Sequence, residues 1–361
     1  MFLEAETSFG LNFLRNVPLN ESTIFSPLSI ALALSLVHAG AKGGSKSEIG
    51  KTLLNNANEE QFENHFKIIS DALKKSENGV ASKIANRVYV KDGLKVEKSY
   101  LDKIQNLYFA SAESIDFKKP DSSQKINKFI SDSTNGKIDK LVTSDSIKDA
   151  VSLLVNALYF KGDWLNDFSR YSTSDSDFEI TLNNKKKISF MREYMEHRDY
   201  AENEQFQVLS LPYKDTSYRF VIFLPKVKHS LLQVLKTFSG KQFQTLLKGT
   251  KNTYLNTFIP KFKIEKEYSL KPILKDLGIS QIFSDSADLS GITKNIKISE
   301  GTHKSLIEVN EEGTVAAATT VMKAVPMMAY SGTPIDFHAD HPFIFTLVKD
   351  NHPVFLGIFK G

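Results

Sequence analysis

The sequence predicts an α+β protein, one large mixed helix-and-sheet domain spanning residues 1–361. Three observations predict it. Helical periodicity dominates from Thr7 to about Arg170, short strand-like runs dominate the second half, and no repeat or Pro/Gly/Ser-rich linker is long enough to divide the chain.

In order, Met1 to Phe13 mixes Glu4, Glu6 and Asn12 with apolar residues at helical spacing. Ser26-Pro27 then opens an apolar segment, Leu28 to Val37, which ends at Gly40 and reads as a buried helix. Amphipathic helices are predicted over Glu59 to Lys75 and Ser123 to Asp132, and strands over Ser82 to Val90 and Ala150 to Phe160. Further strands are predicted over Phe206 to Leu211, Arg219 to Leu224, Asn252 to Phe262, Ile296 to Ile298, Ser305 to Val309 and Pro342 to Val348.

Composition is that of a soluble globular protein, with 41% apolar and 24% charged residues. The 46 basic and 42 acidic side chains nearly balance and only six of the basic ones are Arg, so no nucleic-acid partner is expected. The run Lys185 to Lys187 reads as a solvated hairpin tip. With no cysteine there are no disulfides, thiolate metal sites or cysteine nucleophiles. The N-terminal segment lacks the basic start and apolar run of a signal peptide, and no stretch is long and apolar enough to span a bilayer. A cytoplasmic location, no membrane partner and a monomer are expected.

Sites that could carry enzyme chemistry are weak. Gly40 to Lys46 lacks the glycine that a phosphate loop needs before its lysine, Ser45 standing there, and reads as a helix-ending turn. His338 and His341 lack an H-E-x-x-H frame, and no G-x-S-x-G elbow occurs. No metal, no cofactor and no enzymatic activity are expected.

One segment stands apart. From Glu311-Glu312-Gly313 to Pro326-Met327-Met328 the chain is small and β-branched, which favours extended structure over an Ala-rich helix. In a strand, Thr314, Ala316, Ala318, Thr320, Met322 and Ala324 share one uncharged face, and Lys323 falls on the other. Such a segment can be exposed at one time and buried at another.

Ile307 to Thr314 and the small-residue run after it resemble the hinge and reactive-centre loop of the serpins, the serine protease inhibitor family, and of its intracellular inhibitory members in particular. The resemblance extends in order through Phe25-Ser26-Pro27-Leu28-Ser29-Ile30, Asn156 to Trp164, Ala287 to Ile292 and Ala339 to Phe343, so it covers essentially the whole chain. It implies the serpin fold, mixed helices and three β-sheets with an exposed reactive-centre loop, about 311–334, able to insert into the central sheet.

The same resemblance implies roles for single residues. Glu311, Gly313, Thr314, Val315, Ala316, Ala317, Ala318, Thr319 and Thr320 correspond to the hinge. Family spacing, sixteen positions after Glu311, places the reactive bond at Met327-Met328, with Tyr330 ranked second. Ser26, Ser29, Asn156 and His303 match the polar shutter beneath the opening sheet, and Trp164, Lys261 and Glu311 match the breach at its top. The implied activity is suicide inhibition: the protease acylates itself on the loop and is trapped as the loop inserts, a known case of strand addition driven by stored strain. About a dozen inserted residues at roughly 1 kcal/mol each supply on the order of 10 kcal/mol.

Methionine suits the apolar slot of chymotrypsin-like enzymes. The expected partner is therefore a chymotrypsin-like serine protease of the chymotrypsin, cathepsin G or elastase type, with a cysteine cathepsin left open. The alternative is a non-inhibitory serpin acting as a carrier, binding or chaperone-like protein, which bulky or charged inward hinge residues would favour. Val315 departs from the glutamate frequent there, and Ser22 from a frequent asparagine.

Overall fold

The computed structural model describes residues 2–55, 57–74, 79–314 and 332–361. Along the chain come α1 (Leu3–Asn16), β1 (Thr23–Phe25), α2 (Pro27–Gly40), α3 (Gly43–Leu54), α4 (Glu59–Lys74) and β2 (Val80–Lys91). Next are α5 (Lys98–Tyr108), β3 (Ser111–Ile115), α6 (Ser122–Ser133), α7 (Ser144–Ile147) and β4 (Ser152–Asp163). Strands then dominate: β5 (Ser174–Thr181), β6 (Asn184–Glu202), β7 (Phe206–Pro212) and β8 (Tyr218–Pro225), followed by α8 (Leu231–Thr237), α9 (Gly240–Lys248), β9 (Lys251–Pro260), β10 (Phe262–Ser269) and α10 (Leu270–Asp276). The last strands are β11 (Glu300–Asn310), β12 (Gly313–Thr314), β13 (Ile335–His338), β14 (Phe343–Lys349) and β15 (His352–Phe359).

Local chemistry explains the best-predicted elements. Ser26 caps α2 by accepting from the Ser29 N–H, and Pro27 occupies the first turn, where its missing N–H costs nothing. In α4, Phe62, Phe66, Ile69 and Leu73 recur at helical spacing and are buried. No described helix is long and apolar enough to cross a membrane.

The six-stranded sheet runs β10-β11-β12-β4-β2-β3. Alternation along β4 sends Leu154, Leu158 and Phe160 into the main core, whereas Leu153, Val155 and Ala157 join a second cluster with Ile126 and Ile130 of α6. The sheet is thus covered on both faces, and Asn156 shares the main-core face with Leu154 and Leu158. On β11, Ile307 and Val309 enter the same core, which puts His303 and Ser305 on that face too.

The other sheet has nine strands, β1-β15-β14-β8-β7-β6-β9-β13, with β5 on β6. Where three sheets are expected, the ladders of the described residues join two of them into one, because the long β6 pairs β5 over Ser174–Thr181, β9 along its middle and β7 only over Asp199–Glu202. A register shift between Glu193 and Glu196, with Met195 at φ 57, bends β6 within that span.

Three expectations are corrected. Asn252 to Phe262 is two strands in different sheets, because Pro260 cannot donate to a ladder and the chain turns at Lys261. Ile296 and Ile298 are buried but unpaired with any strand; Ile298 donates to Ile282 O, and the ladder begins only at Glu300. The turn expected over Gly40 to Lys46 is brief, since α3 starts at Gly43. Lys185 to Lys187 lie just past the β5–β6 turn and are exposed.

Candidate functional site at the mouth of the sheet

The top of the six-stranded sheet is where β4 and β11 part. Lower down they pair directly and in parallel, from Glu300 opposite Leu153 to Leu306 opposite Tyr159. Above, β12 wedges between them, antiparallel to both: Gly313 faces Asn310 and Asp163, and Thr314 faces Val309 and Gly162. Only glycine fits at position 313. Its φ is +147, and a Cβ there would lie 2.1 Å from Gly162 O.

Thr314 is fully buried, its Oγ1 2.7 Å from the Tyr213 hydroxyl. Burial pushes the Tyr213 phenol well above the usual tyrosine range, so it stays neutral. Trp164 stacks on Tyr213 with centroids 4.5 Å apart and donates its indole N–H to Asn310 O at 2.9 Å. The Trp164 and Phe168 backbone N–H groups donate to Glu312 O and Glu311 O, so the chain entering β12 is held on both sides. Asn310 Oδ1 accepts from the N–H groups of Glu312 and Gly313.

Beside this lies a buried acid. Glu311 is 4% exposed, and Lys261 reaches both its oxygens at 3.0 and 2.9 Å while Thr173 donates to it at 2.7 Å. Burial raises the Glu311 carboxyl, but the hydrogen bonds from Lys261 and Thr173 outweigh it and hold the group below the ordinary glutamate range. Arg170 pairs with the neighbouring Glu312. The structure therefore brings Trp164, Lys261 and Glu311 together at the mouth of the sheet.

Beneath the sheet is a second polar cluster, fully buried. Asn156 donates to Ser29 O at 2.9 Å and Ser29 Oγ at 2.5 Å, and also to Asn86. His303 Nε2 accepts from the Ser26 N–H at 2.9 Å, which forces the neutral tautomer with its proton on Nδ1, bonded to Asn156 Oδ1. Ser305 Oγ donates to the same Nε2 at 2.7 Å, and Ser26 Oγ donates to Val354 O at 2.6 Å. Burial pushes the His303 imidazole down to about 3. Ser26, Ser29, Asn156 and His303 thus form one network tying α2, β4, β11 and β15.

Val315, Ala316, Ala317, Ala318, Thr319, Thr320, Met327 and Met328 lie outside the described residues, as does the second-ranked Tyr330.

The family model for Serpin (serine protease inhibitor) matches residues 4–360. This chain belongs to the serpin family. Antichymotrypsin-2 of Bombyx mori is 32% identical over 346 residues, covering 94% of this serpin and 92% of that protein. Leukocyte elastase inhibitor of Xenopus laevis is 32% identical over 361 residues, with coverages of 96% and 94%. Among solved structures, Serpin48, a highly specific serpin of the insect Tenebrio molitor, superposes with a TM-score of 0.91 at 28% identity over 100% of this chain and 98% of its own. The relatives' names are those of protease inhibitors, and protease inhibition is the activity that membership supports.

Sequence reasoning missed several partners in this serpin. Asn86, Ser305, Thr173 and Tyr213 all touch the predicted residues, and none belongs to a motif that carries the resemblance. The one local signal was strand alternation, which sets Asn86 on the apolar face of β2 with Val88 and Val90.

Proposed function

We propose that this serpin is a suicide-substrate inhibitor of chymotrypsin-like serine proteases, cleaved at Met327-Met328 and trapping the acyl-enzyme by inserting its hinge between β4 and β11. One observation carries the reading. Asn310 and Asp163, which flank Gly313, differ by 147 in number, and so do Glu300 and Leu153, which pair directly below. The two strands keep one register along their length. A strand entering between them needs sideways separation and no slip, and being antiparallel to both it continues the ladder β12 has begun.

Continuing that register sets Ala316 opposite Ile307 and Phe160, Ala318 opposite Ser305 and Leu158, and Thr320 opposite His303 and Asn156. The even-numbered residues share the core face with buried Thr314, and all through Thr320 are small. On this reading Ser26, Ser29, Asn156 and His303 act as a shutter across the opening, and Trp164, Lys261 and Glu311 hold its top closed. Methionine before the cut fits an apolar specificity pocket and leaves trypsin's acidic one unsatisfied. Dragging the protease against the inhibitor's body would disorder its oxyanion hole and triad, so deacylation fails.

The test is incubation with equimolar chymotrypsin and then a denaturing gel. A covalent complex heavier than either partner is expected, with the released peptide starting at Met328. Ala318→Arg, which leaves the Thr314–Tyr213 contact intact, should convert the protein to a substrate cleaved at the same bond. Clean cleavage of the unaltered chain by chymotrypsin, cathepsin G and elastase with no complex would refute the inhibitory reading and favour a carrier or chaperone-like role.

A further inference from the structure

Far from the sheet mouth, three elements bring a carboxylate and two imidazoles to one point. Glu6 of α1 is 5% exposed; its Oε1 lies 2.5 Å from His65 Nε2 on α4, and its Oε2 lies 2.6 Å from His352 Nδ1 at the start of β15. Donor atoms of all three lie within 4.8 Å of one another. The residues are 59 and 346 positions apart in pairs with Glu6, so no sequence spacing announces them.

The cluster is held rigidly. His352 comes after a tight turn whose Asp350 and Asn351 both have positive φ, at 49 and 71. His65 is wedged edge-on against the Phe2 and Phe66 rings. His65 and His352 keep side-chain exposures of 15% and 24%, which leaves a path from solvent.

We propose that Glu6, His65 and His352 form a zinc site. Two imidazole nitrogens and one carboxylate oxygen are the His₂Glu set that takes Zn²⁺ with water in the fourth position, and they do not suit the all-oxygen preferences of Ca²⁺ or Mg²⁺. Tetrahedral zinc with bonds of about 2.1 Å spaces its donors by roughly 3.4 Å. The two histidine–carboxylate contacts must therefore lengthen by about 1 Å, within reach of small side-chain rotations. Each ring must turn a lone pair inward, so the protons now shared with Glu6 move to the far ring nitrogen or to solvent. Bound zinc would pin α1 to α4 and to the β14–β15 hairpin.

Titrating ZnCl2 into the full-length, tag-free chain at neutral pH by calorimetry tests this. One tight site per chain is expected, unaffected by excess Mg²⁺, weakened at least tenfold in His65→Gln and in His352→Gln. Zinc at about 100 times its wild-type Kd should raise the folded-to-unfolded ratio about 100-fold in urea, and about tenfold or less in the variants. Metal-free urea curves establish that each variant folds, and His352→Gln, the more exposed change, decides the matter if His65→Gln does not. Absence of saturable binding, or binding and stabilisation retained in the folded variant, would overturn the site and leave Glu6 with its histidines as a hydrogen-bonded triad only.

Discussion

Acid should loosen this protein through His303, and the size of the effect is set by its surroundings. Both ring nitrogens are committed: Nε2 accepts from the Ser26 N–H and Ser305 Oγ, and Nδ1 faces Asn156 Oδ1. A second proton on Nε2 would point at an N–H that can only donate. The folded imidazole titrates at about 3 because burial penalises its charge, whereas an exposed histidine titrates near 6.5. Since the folded value is the lower, the unfolded chain takes up the proton first. Stability from this group is fully present above about pH 6.5 and is lost as pH falls toward 3. Linkage gives a loss of about 2 kcal/mol between pH 7 and pH 5 from His303 alone. His38, pushed down to about 4 by burial, adds a loss of the same sign, so the wild-type trend cannot isolate His303. The difference from His303→Gln can. Glutamine does not titrate, and contributions common to both proteins cancel to the extent that the sites are independent. Urea unfolding monitored by fluorescence of Trp164, the single tryptophan, should show the variant less stable at pH 7 and the gap narrowing by about 2 kcal/mol at pH 5. A gap that stays constant, or widens, would refute the assignment of His303 as a buried neutral base.

Other changes test the mouth itself. Gly313→Ala should expel β12 from between β4 and β11, because the new Cβ would meet Gly162 O; faster hydrogen exchange at the Thr314 and Trp164 amides, with a loss of about 2 kcal/mol or more, is the expected result. Lys261→Met should raise the Glu311 pKa, seen by NMR titration of that carboxyl, yet cost only about 1 kcal/mol in urea, since water reaches Lys261 and Thr173 remains bonded.

The legible part of the sequence was local. The capped, largely apolar α2, the amphipathic α4 and the largely apolar β4 declare themselves by periodicity and by Ser26-Pro27. Ile296 to Ile298 misled because an alternating apolar run also describes a chain that packs without pairing. The break at Lys261 was signalled by Pro260, although its consequence, two strands in two sheets, was not. The site was legible only through the family resemblance. His303 and Ser26 are 277 residues apart, and nothing local in either predicts that one caps the other. Tyr213 and Thr173 carried no signal at all, since their significance lies in where Thr314 and Glu311 come to rest. The position of the reactive bond rests on counting along the chain from Glu311.

The two buried clusters are also linked by register. Counting down from Gly313 and Thr314, the row occupied by Thr320 on the proposed insertion is the row of His303 and Asn156. The hydrogen bond between those two side chains spans β11 and β4 and is among the contacts that a separating sheet must break. The mouth above is already parted by β12, so opening has only to propagate downward through the seven direct pairs from Leu306–Tyr159 to Glu300–Leu153. Such a path has a defined start and a defined obstacle. On the proposed insertion, residues at the mouth would govern whether it begins, while the His303 network would govern how far the sheet opens without the loop to fill it. Acid attacks the second of these and leaves the first standing, because Glu311, held below the ordinary carboxylate range, keeps its charge to lower pH than His303's unfolded counterpart needs to gain one.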